Sequence, residues 1–483
     1  MSSDEATAKA VTMDEKTLHV HHERRYSVLA AVMMGSIMGP IDASIVNVVL
    51  PTVTQFFGVP IATAQWVPMI YLLTISSVLL FCGRLGDILG YKKVYLSGLS
   101  GFIIASGLCG LSPSIHWLII FRAIQGLAAG MMMSVPYAII AASFPPTERG
   151  KALGINAISI SAGLALGPFL GGFITFLWGW RFVFLINVPI GIVGLIWARR
   201  VIPELKGQPG KIDIPGAITA FVSLFCLLLF INRFQGSGLS HANGLILLVA
   251  VVAGSGFIGV ESKIAQPMLK LTLFRNVTFS FADVSALLNF MSQYVMVFLT
   301  PFYLQRILHY TPDHLGSVMT AFPLAVMAVA PFSGAISDRI GTRLPACLGA
   351  ALCALSLLFM SRLQASASSM DVAWRLALFG FGTGIFQSPN TSAVMGSTPK
   401  PHLGIASGIL ATMRNVGMVL GIATGGAVLY AFAPSHILQK DTLGISEAVL
   451  FLQGLKHAYI AGAILTGAAA ITSLVRSKEK RLQ

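Results

Sequence analysis

The chain has 483 residues, 55% of them hydrophobic and 10% charged, and its mean hydropathy is +0.79. A soluble domain of that composition would expose apolar surface on a scale that aggregates, so the sequence describes a polytopic membrane protein. The net charge of +14 does not mark a nucleic-acid binder, because no folded soluble segment carries a basic patch.

Residues 1–25 are polar and hold Asp4, Glu5, Asp14 and Glu15. They lack the apolar core and small-residue cleavage site of a signal peptide, so they read as a disordered tail and the first span is retained. His19, His21 and His22 have no Cys or second ligand group beside them and read as part of that tail. Beyond it lie fourteen apolar runs, each close to the ~20 residues that span a bilayer core. They are predicted to be helices, since lipid leaves no backbone group unpaired and the runs lack the alternation of a barrel. Of the 32 Lys and Arg, 23 fall on the side that holds both termini, which predicts cytoplasmic termini by the positive-inside rule.

Of the 18 acidic residues, only Asp42 and Asp283 lie well inside apolar runs. A charge there costs at least ~3 kcal/mol and calls for a functional reason. Asp42 sits ~12 Å short of the outer end of the first span near Leu50, and Arg122 ~9 Å inside the fourth span from His116. The two share a depth, so they are expected to meet inside the first half, directly or through Gln125 or water, rather than face lipid. A static ion pair would account for the same residues. As a functional pair, the cation would favour the carboxylate and burial the acid, a balance suited to loading and releasing protons.

Between the second and third spans lies Gly83-Arg84-Leu85-Gly86-Asp87-Ile88-Leu89-Gly90-Tyr91-Lys92-Lys93. Gly163, Gly167 and Gly171 in the fifth span repeat every four residues and clear one face for close helix contact, with Pro168 bending or stiffening the helix. Asp283 opens a stripe with Ser285, Asn289, Ser292 and Gln293 that is expected to line a central cavity, with Phe290 and Tyr294 as aromatic walls. Bonding to a neighbouring helix is the plainer reading of those polar residues. Gln387, Ser388, Pro389 and Asn390 break a later span in a way a cavity can use. The five cysteines read as packing residues, and no His lies deep in a span to serve a proton relay.

Gly126 and Gly130 return as Gly380 and Gly384, and Gly163, Gly167 and Gly171 return as Gly417, Gly421 and Gly425, always 254 residues later. Gly83, Asp87 and Gly90 return as Gly334, Asp338 and Gly341 at an offset of 251. The predicted fold is therefore all-α, with 14 transmembrane helices in two parallel six-helix repeats and a two-helix insert. The expected divisions are a tail at 1–25, bundles at 26–200 and 271–476, the insert at 201–270, and a tail at 477–483. The fifth span and its repeat are expected to form a sliding seam between the halves. Asp87 is expected to meet the amino terminus of the eleventh helix of the twelve-helix frame, near Gly404.

The loop from Gly83 to Lys93 resembles the signature loop of the major facilitator superfamily. Arg122-Ala123-Ile124-Gln125-Gly126 and Gly163-Leu164-Ala165-Leu166-Gly167-Pro168 resemble its later motifs, the second associated with antiporters. Asp42 to Pro51, Trp180-Arg181, and Phe184-Leu185-Ile186-Asn187-Val188-Pro189-Ile190-Gly191 resemble the fourteen-helix drug:proton antiporters. Tyr91 stands where the loop pattern often has Arg, although Lys92 and Lys93 keep the charge. The resemblance runs from about residue 26 to 476.

It implies proton coupling at Asp42 and Arg122, with Asp283 as a second proton site or a contact for cationic substrates. Asn47, Asn289, Phe290, Gln293, Tyr294, Gln387 and Asn390 are the expected substrate contacts. Gly83, Arg84, Asp87, Gly90, Lys92, Gly163, Gly167, Pro168 and Gly171 are the expected conformational motifs. The expected activity is antiport of amphipathic small molecules, monocationic or neutral, against protons across a bacterial-type inner membrane. The expected chain is monomeric, in contact with membrane lipid and open to accessory export proteins. Export of an endogenous lipid or metabolite is the alternative, suggested by 30 Phe and 19 Met. A membrane enzyme or channel is disfavoured, since no nucleophile and base share a depth and the repeat is not a pore ring. No cofactor is expected, and Walker-type spacing is absent.

Overall fold

A computed structural model of the protein describes residues 15–145, 148–204, 214–237, 240–262, 264, 271–399, 403–433 and 443–476. The first half contains α1 (Glu15–Phe57), α2 (Trp66–Leu89), α3 (Tyr91–Gly110), α4 (Ile115–Ser134), α5 (Pro136–Ser143), α6 (Arg149–Trp178) and α7 (Asn187–Val201). The insert supplies α8 (Ile214–Ser237) and α9 (His241–Glu261). The second half contains α10 (Val277–Arg306), α11 (Pro312–Met319), α12 (Ala321–Ile340), α13 (Arg343–Met360), α14 (Ser369–Gly396), α15 (Leu403–Phe432) and α16 (Ile445–Val475). With α4 and α5 counted as one broken rod, and α11 and α12 as another, the described helices of eight residues or more form fourteen rods. Among the described residues, eleven stretches are long and apolar enough to cross a membrane, and two more are shorter. The rod that joins neither group is α14, whose Gln387-Ser388-Pro389-Asn390 segment dilutes its hydropathy.

The first helix starts at Glu15, ten residues ahead of Arg25. That part of the predicted tail is helical; residues 1–14 and 477–483, and most of the segment joining α7 to α8, lie outside the described residues.

Internal repetition is visible in the backbone. Gly90 and Gly341 end the second helix of each half at φ 94° and 88°, a conformation open to glycine and strained for other residues. Gly126 packs on the carbonyl of Tyr71 and Gly380 on that of Phe322, while Gly163 packs on the carbonyl of Ile37 and Gly417 on that of Leu287. Each half therefore assembles through the same contacts.

Those contacts correct the expected sliding seam in part: α6 and α15 do meet the opposite half, through Gly172 and Gly426, but their three-glycine faces do not. Gly163, Gly167 and Gly171 face Ile37, Ser44 and Ile45 of α1, and Gly417, Gly421 and Gly425 face Leu287, Met291 and Val295 of α10. The small-residue stripes lock α6 to α1 and α15 to α10 inside each half, because a backbone-to-backbone approach suits a fixed contact. The halves meet through other residues. A methyl on Gly172 would stand 2.3 Å from the Pro312 carbonyl oxygen, and one on Gly316 would stand 2.5 Å from that of Pro168. The Ala62 amide donates to the Tyr430 hydroxyl at 2.7 Å, and Gln305 Nε2 donates to Gln55 Oε1 at 3.4 Å. All these contacts lie at the far end, opposite the near end where α1 begins and α16 stops.

Candidate functional site

Below the far-end contacts lies a small cavity of about 70 Å3 between the halves. Its polar lining is Ser44 of α1, Gln293 and Tyr294 of α10, and Thr383 and Gln387 of α14. Val48, Leu164, Met319, Phe322 and Met327 supply apolar walls. The Ser44 hydroxyl is committed to the Pro40 carbonyl at 3.0 Å, whereas Gln293 Oε1 is buried with no donor among the described residues. The lining contains no charged side chain. An apolar chamber with a few hydrogen-bonding groups suits an uncharged body with a polar edge.

Beside the cavity, inside the first half, is a fully buried polar centre. Asp42 and Arg122 are both 0% exposed. Arg122 Nη1 donates to Asp42 Oδ2 and to Gln125 Oε1, the latter at 2.7 Å. Gln125 Nε2 and Asn187 Nδ2 donate to Asp42 Oδ1 at 3.0 and 3.2 Å. Ser106 Oγ accepts from the same two amides at 2.6 and 3.3 Å. Four helices thus converge on one carboxylate, which satisfies the demand that a buried charge be both paired and hydrogen-bonded. The Arg122 guanidinium also lies 3.8 Å from the centroid of the Tyr71 ring. Tyr71 is in turn within electrostatic range of Tyr294 on the cavity wall.

The pairing of Asp42 with Arg122 and Gln125 follows from the depths read in the sequence. Asn187, Ser106 and Tyr71 were missed as members of this centre. Asn187 carried a signal, as a buried amide opening a span at a similar height, but a lone Ser or Tyr in an apolar run carries none. Asn47 turns back onto its own helix, donating to the Ala43 carbonyl at 2.8 Å, and is not part of the cavity lining.

The polar stripe of α10 divides. Ser285 pairs with Thr472 at 2.8 Å and Ser473 at 3.3 Å on α16. Asn289 lies against Cys353 of α13, and the Ser292 hydroxyl returns to the Asn289 carbonyl at 2.9 Å. These residues bond within their own half, contrary to the expected cavity stripe. The reason is angular: at 100° per residue, 285, 289 and 292 share one face, while 283, 290, 294 and 297 share another. Of the expected substrate contacts, Gln293, Tyr294 and Gln387 line the cavity, and Asn47, Asn289, Phe290 and Asn390 do not.

Asp283 forms a second centre nearer the termini. It is 1% exposed, and neither carboxylate oxygen has a donor among the described residues. The charges acting on it are those of Arg414 on α15 and Arg476 just beyond α16. Asn390 accepts from Arg476 Nη2, and Ser473 Oγ accepts from the same nitrogen at 3.1 Å. Two guanidiniums around one carboxylate are a poor setting for the expected cation contact. Neither arginine was foreseen: Arg414 sits in the glycine-rich eleventh helix of the twelve-helix frame, and Arg476 reads as an end-of-helix cation. In repeat register, with Ile37 matching Leu287, Asp42 corresponds to Ser292, so Asp283 lies nine residues, or ~13 Å, nearer the termini.

In the signature loop, Asp87 is bound within its own half, accepting from Arg84 Nη1 at 3.3 Å and from the Tyr91 hydroxyl at 2.7 Å. The unusual Tyr91 is thus a partner for Asp87, which among the described residues makes no hydrogen bond or ion pair with α15. Lys92 follows Tyr91 in the first turn of α3, where its side chain is half-buried.

The sequence profile of the Major Facilitator Superfamily matches residues 32–422 and 282–481. The chain is 32% identical to the riboflavin transporter RibZ of Clostridioides difficile, over 83% of this chain and 87% of that one. It is also 32% identical to the multidrug resistance protein Stp of Mycobacterium tuberculosis, over 84% of this chain and 76% of that one. The fold is similar to that of a bacterial homologue of the human lysosomal transporter Spinster, solved in an inward-facing, unoccupied conformation. The TM-score is 0.67 at 16% identity, covering 93% of this chain and 96% of the other.

Proposed function

The chain belongs to the major facilitator superfamily, and on that premise we propose that it is a proton-coupled antiporter exporting amphipathic small molecules by alternating access. It is a multi-pass membrane transporter with relatives in multidrug and antibiotic export. The observation that carries the coupling is the path from cavity to buried charge: Tyr294 on the wall, Tyr71 within its electrostatic range, and Arg122 stacked on Tyr71 and paired with Asp42. A proton on Asp42 leaves Arg122 a buried cation without its counter-charge, a state expensive enough to favour another conformation. Movement of Arg122 then acts on Tyr71 and on the cavity wall. Asp283 is the second titratable carboxyl, placed nearer the termini on the opposite half.

The far-end contacts close one side of the cavity, and we assign the near end, the proposed cytoplasmic side, as the side of access in this state. Asp87, held here by Arg84 and Tyr91, would exchange those partners for the amino terminus of α15 when the near end shuts. We assign bundles at 26–200 and 271–476 as the rocking units and the insert at 201–270 as their peripheral link. Export of a metabolite by the same mechanism is the second reading, favoured by the relative named as a riboflavin transporter.

Export of a panel of aromatic amphipaths from inverted membrane vesicles tests this function. Accumulation should collapse when the pH gradient is dissipated and should be insensitive to nucleotide depletion. Export that survives without the gradient contradicts proton coupling. Gln387→Leu should lower apparent affinity about tenfold for compounds with a hydrogen-bonding edge and spare purely apolar ones. Equal loss for both groups would remove Gln387 from recognition.

A further inference from the structure

The two charged centres differ in balance. Asp42 and Arg122 cancel, whereas Asp283 faces two guanidiniums, so the second centre keeps a net positive charge even with Asp283 ionised. The charge also lies between the cavity and the near end. Arg414 is half-buried on α15, with its guanidinium 5.5 Å from the centroid of Phe290 and its Nη2 donating to Thr391 Oγ1 at 2.6 Å. Its Nε is buried with no acceptor among the described residues. Thr391 lies one turn from Gln387, and Phe290 one turn from Tyr294, both of them cavity residues. Arg414 therefore stands ~6 Å beyond the cavity towards the near end. Within its electrostatic range lies Tyr137 of α5, on the other half, with 44% of its surface exposed.

We propose that Arg414 and Tyr137 form an anion-recognising subsite that takes the carboxylate of an amphipath whose apolar body occupies the cavity. Guanidinium N–H groups and a phenolic O–H are the donors a carboxylate pairs with, and the adjoining chamber supplies apolar contact without charge. Asp283, buried and with no donor of its own among the described residues, is an internal counter-charge that an incoming anion supplements at Arg414. Because the two donors belong to different halves, an anion held between them draws the halves together at the near end. Binding would thereby favour the closure that alternating access requires.

The inference rests on the cavity being the substrate chamber, and the test separates the two. Purified full-length protein in neutral detergent is titrated with 2-naphthoate, 2-naphthamide and 2-naphthylmethylammonium, which share one apolar body and differ in charge. Wild type should bind naphthoate best. Arg414→Gln should weaken naphthoate about tenfold or more and leave naphthamide within about twofold, with Arg414→Lys intermediate. Tyr137→Phe, at an exposed position, should weaken naphthoate alone and serves as the test if Arg414→Gln does not fold. Equal binding of acid and amide, or equal losses in both variants, overturns the subsite and leaves the chamber standing. Binding of none of the three contradicts the chamber and the subsite with it. A membrane lipid offers the same chemistry, so dioleoylphosphatidylglycerol is the competing arm: displacement of naphthoate below equimolar lipid would overturn the solute as occupant.

Discussion

Asp42→Asn is expected to abolish transport driven by a pH gradient and to destabilise the protein by about 3–5 kcal/mol, because it leaves Arg122 as a buried cation without a counter-charge. Both residues are 0% exposed and share a network with Gln125, Asn187 and Ser106, so water cannot replace the lost carboxylate. Stability and coupling are separable in the double variant Asp42→Asn with Arg122→Leu. Removing both charges should recover most of the lost stability, since a buried pair gains little over apolar residues of similar size. Gradient-driven transport should remain absent, because no proton carrier is restored. Thermal denaturation and vesicle transport on the same preparations check the two halves of this expectation. A double variant that regains proton-driven transport would reduce the pair to a structural tie between α1 and α4.

Gly172→Val should be comparably severe by a different route. The added side chain would enter the space of the Pro312 carbonyl and the Gly316 backbone, only 2.3 and 2.9 Å from an ideal Cβ. Backbone on the facing helix cannot yield as the tip of a flexible side chain does, so the far-end contact between α6 and α11 should fail to form. The population should shift towards open far ends, with turnover falling about tenfold or more if the penalty reaches ~1.4 kcal/mol. Distances between spin labels at Gln55 and Gln305, whose amides touch at 3.4 Å in the closed far end, should lengthen. A Gly172→Val protein with wild-type distances and turnover would show that this contact is dispensable to closure.

The sequence revealed depth better than direction. Counting residues from the span ends put Asp42 and Arg122 at one height; the repeat offset of 254 marked glycines that pack on matching backbone in the two halves, and the offset of 251 marked Gly90 and Gly341, which share a positive φ. Depth follows from a fixed rise per residue and a fixed bilayer thickness. Which neighbour a helix face meets follows from the rotation and packing of all the rods, and a single helix does not encode that. The glycine stripe of α6 therefore read as a seam between halves when its partner is α1. The polar residues of α10 likewise read as one stripe when they divide between the cavity, α13 and α16. Arg414 was hidden for a related reason: in a run of apolar and glycine residues it had no visible partner, because Phe290 and Asp283 come from α10, Thr391 from α14 and Tyr137 from α5, three other segments of chain.

Proton antiport is the central claim, and the most direct measurement is proton movement on adding substrate to proteoliposomes that enclose a pH-sensitive dye, with no imposed gradient. A transported amphipath should drive protons in the direction opposite to its own flux, and Asp42→Asn should carry no coupled protons. Substrate flux with no proton movement, or with protons moving in the same direction, would contradict the account.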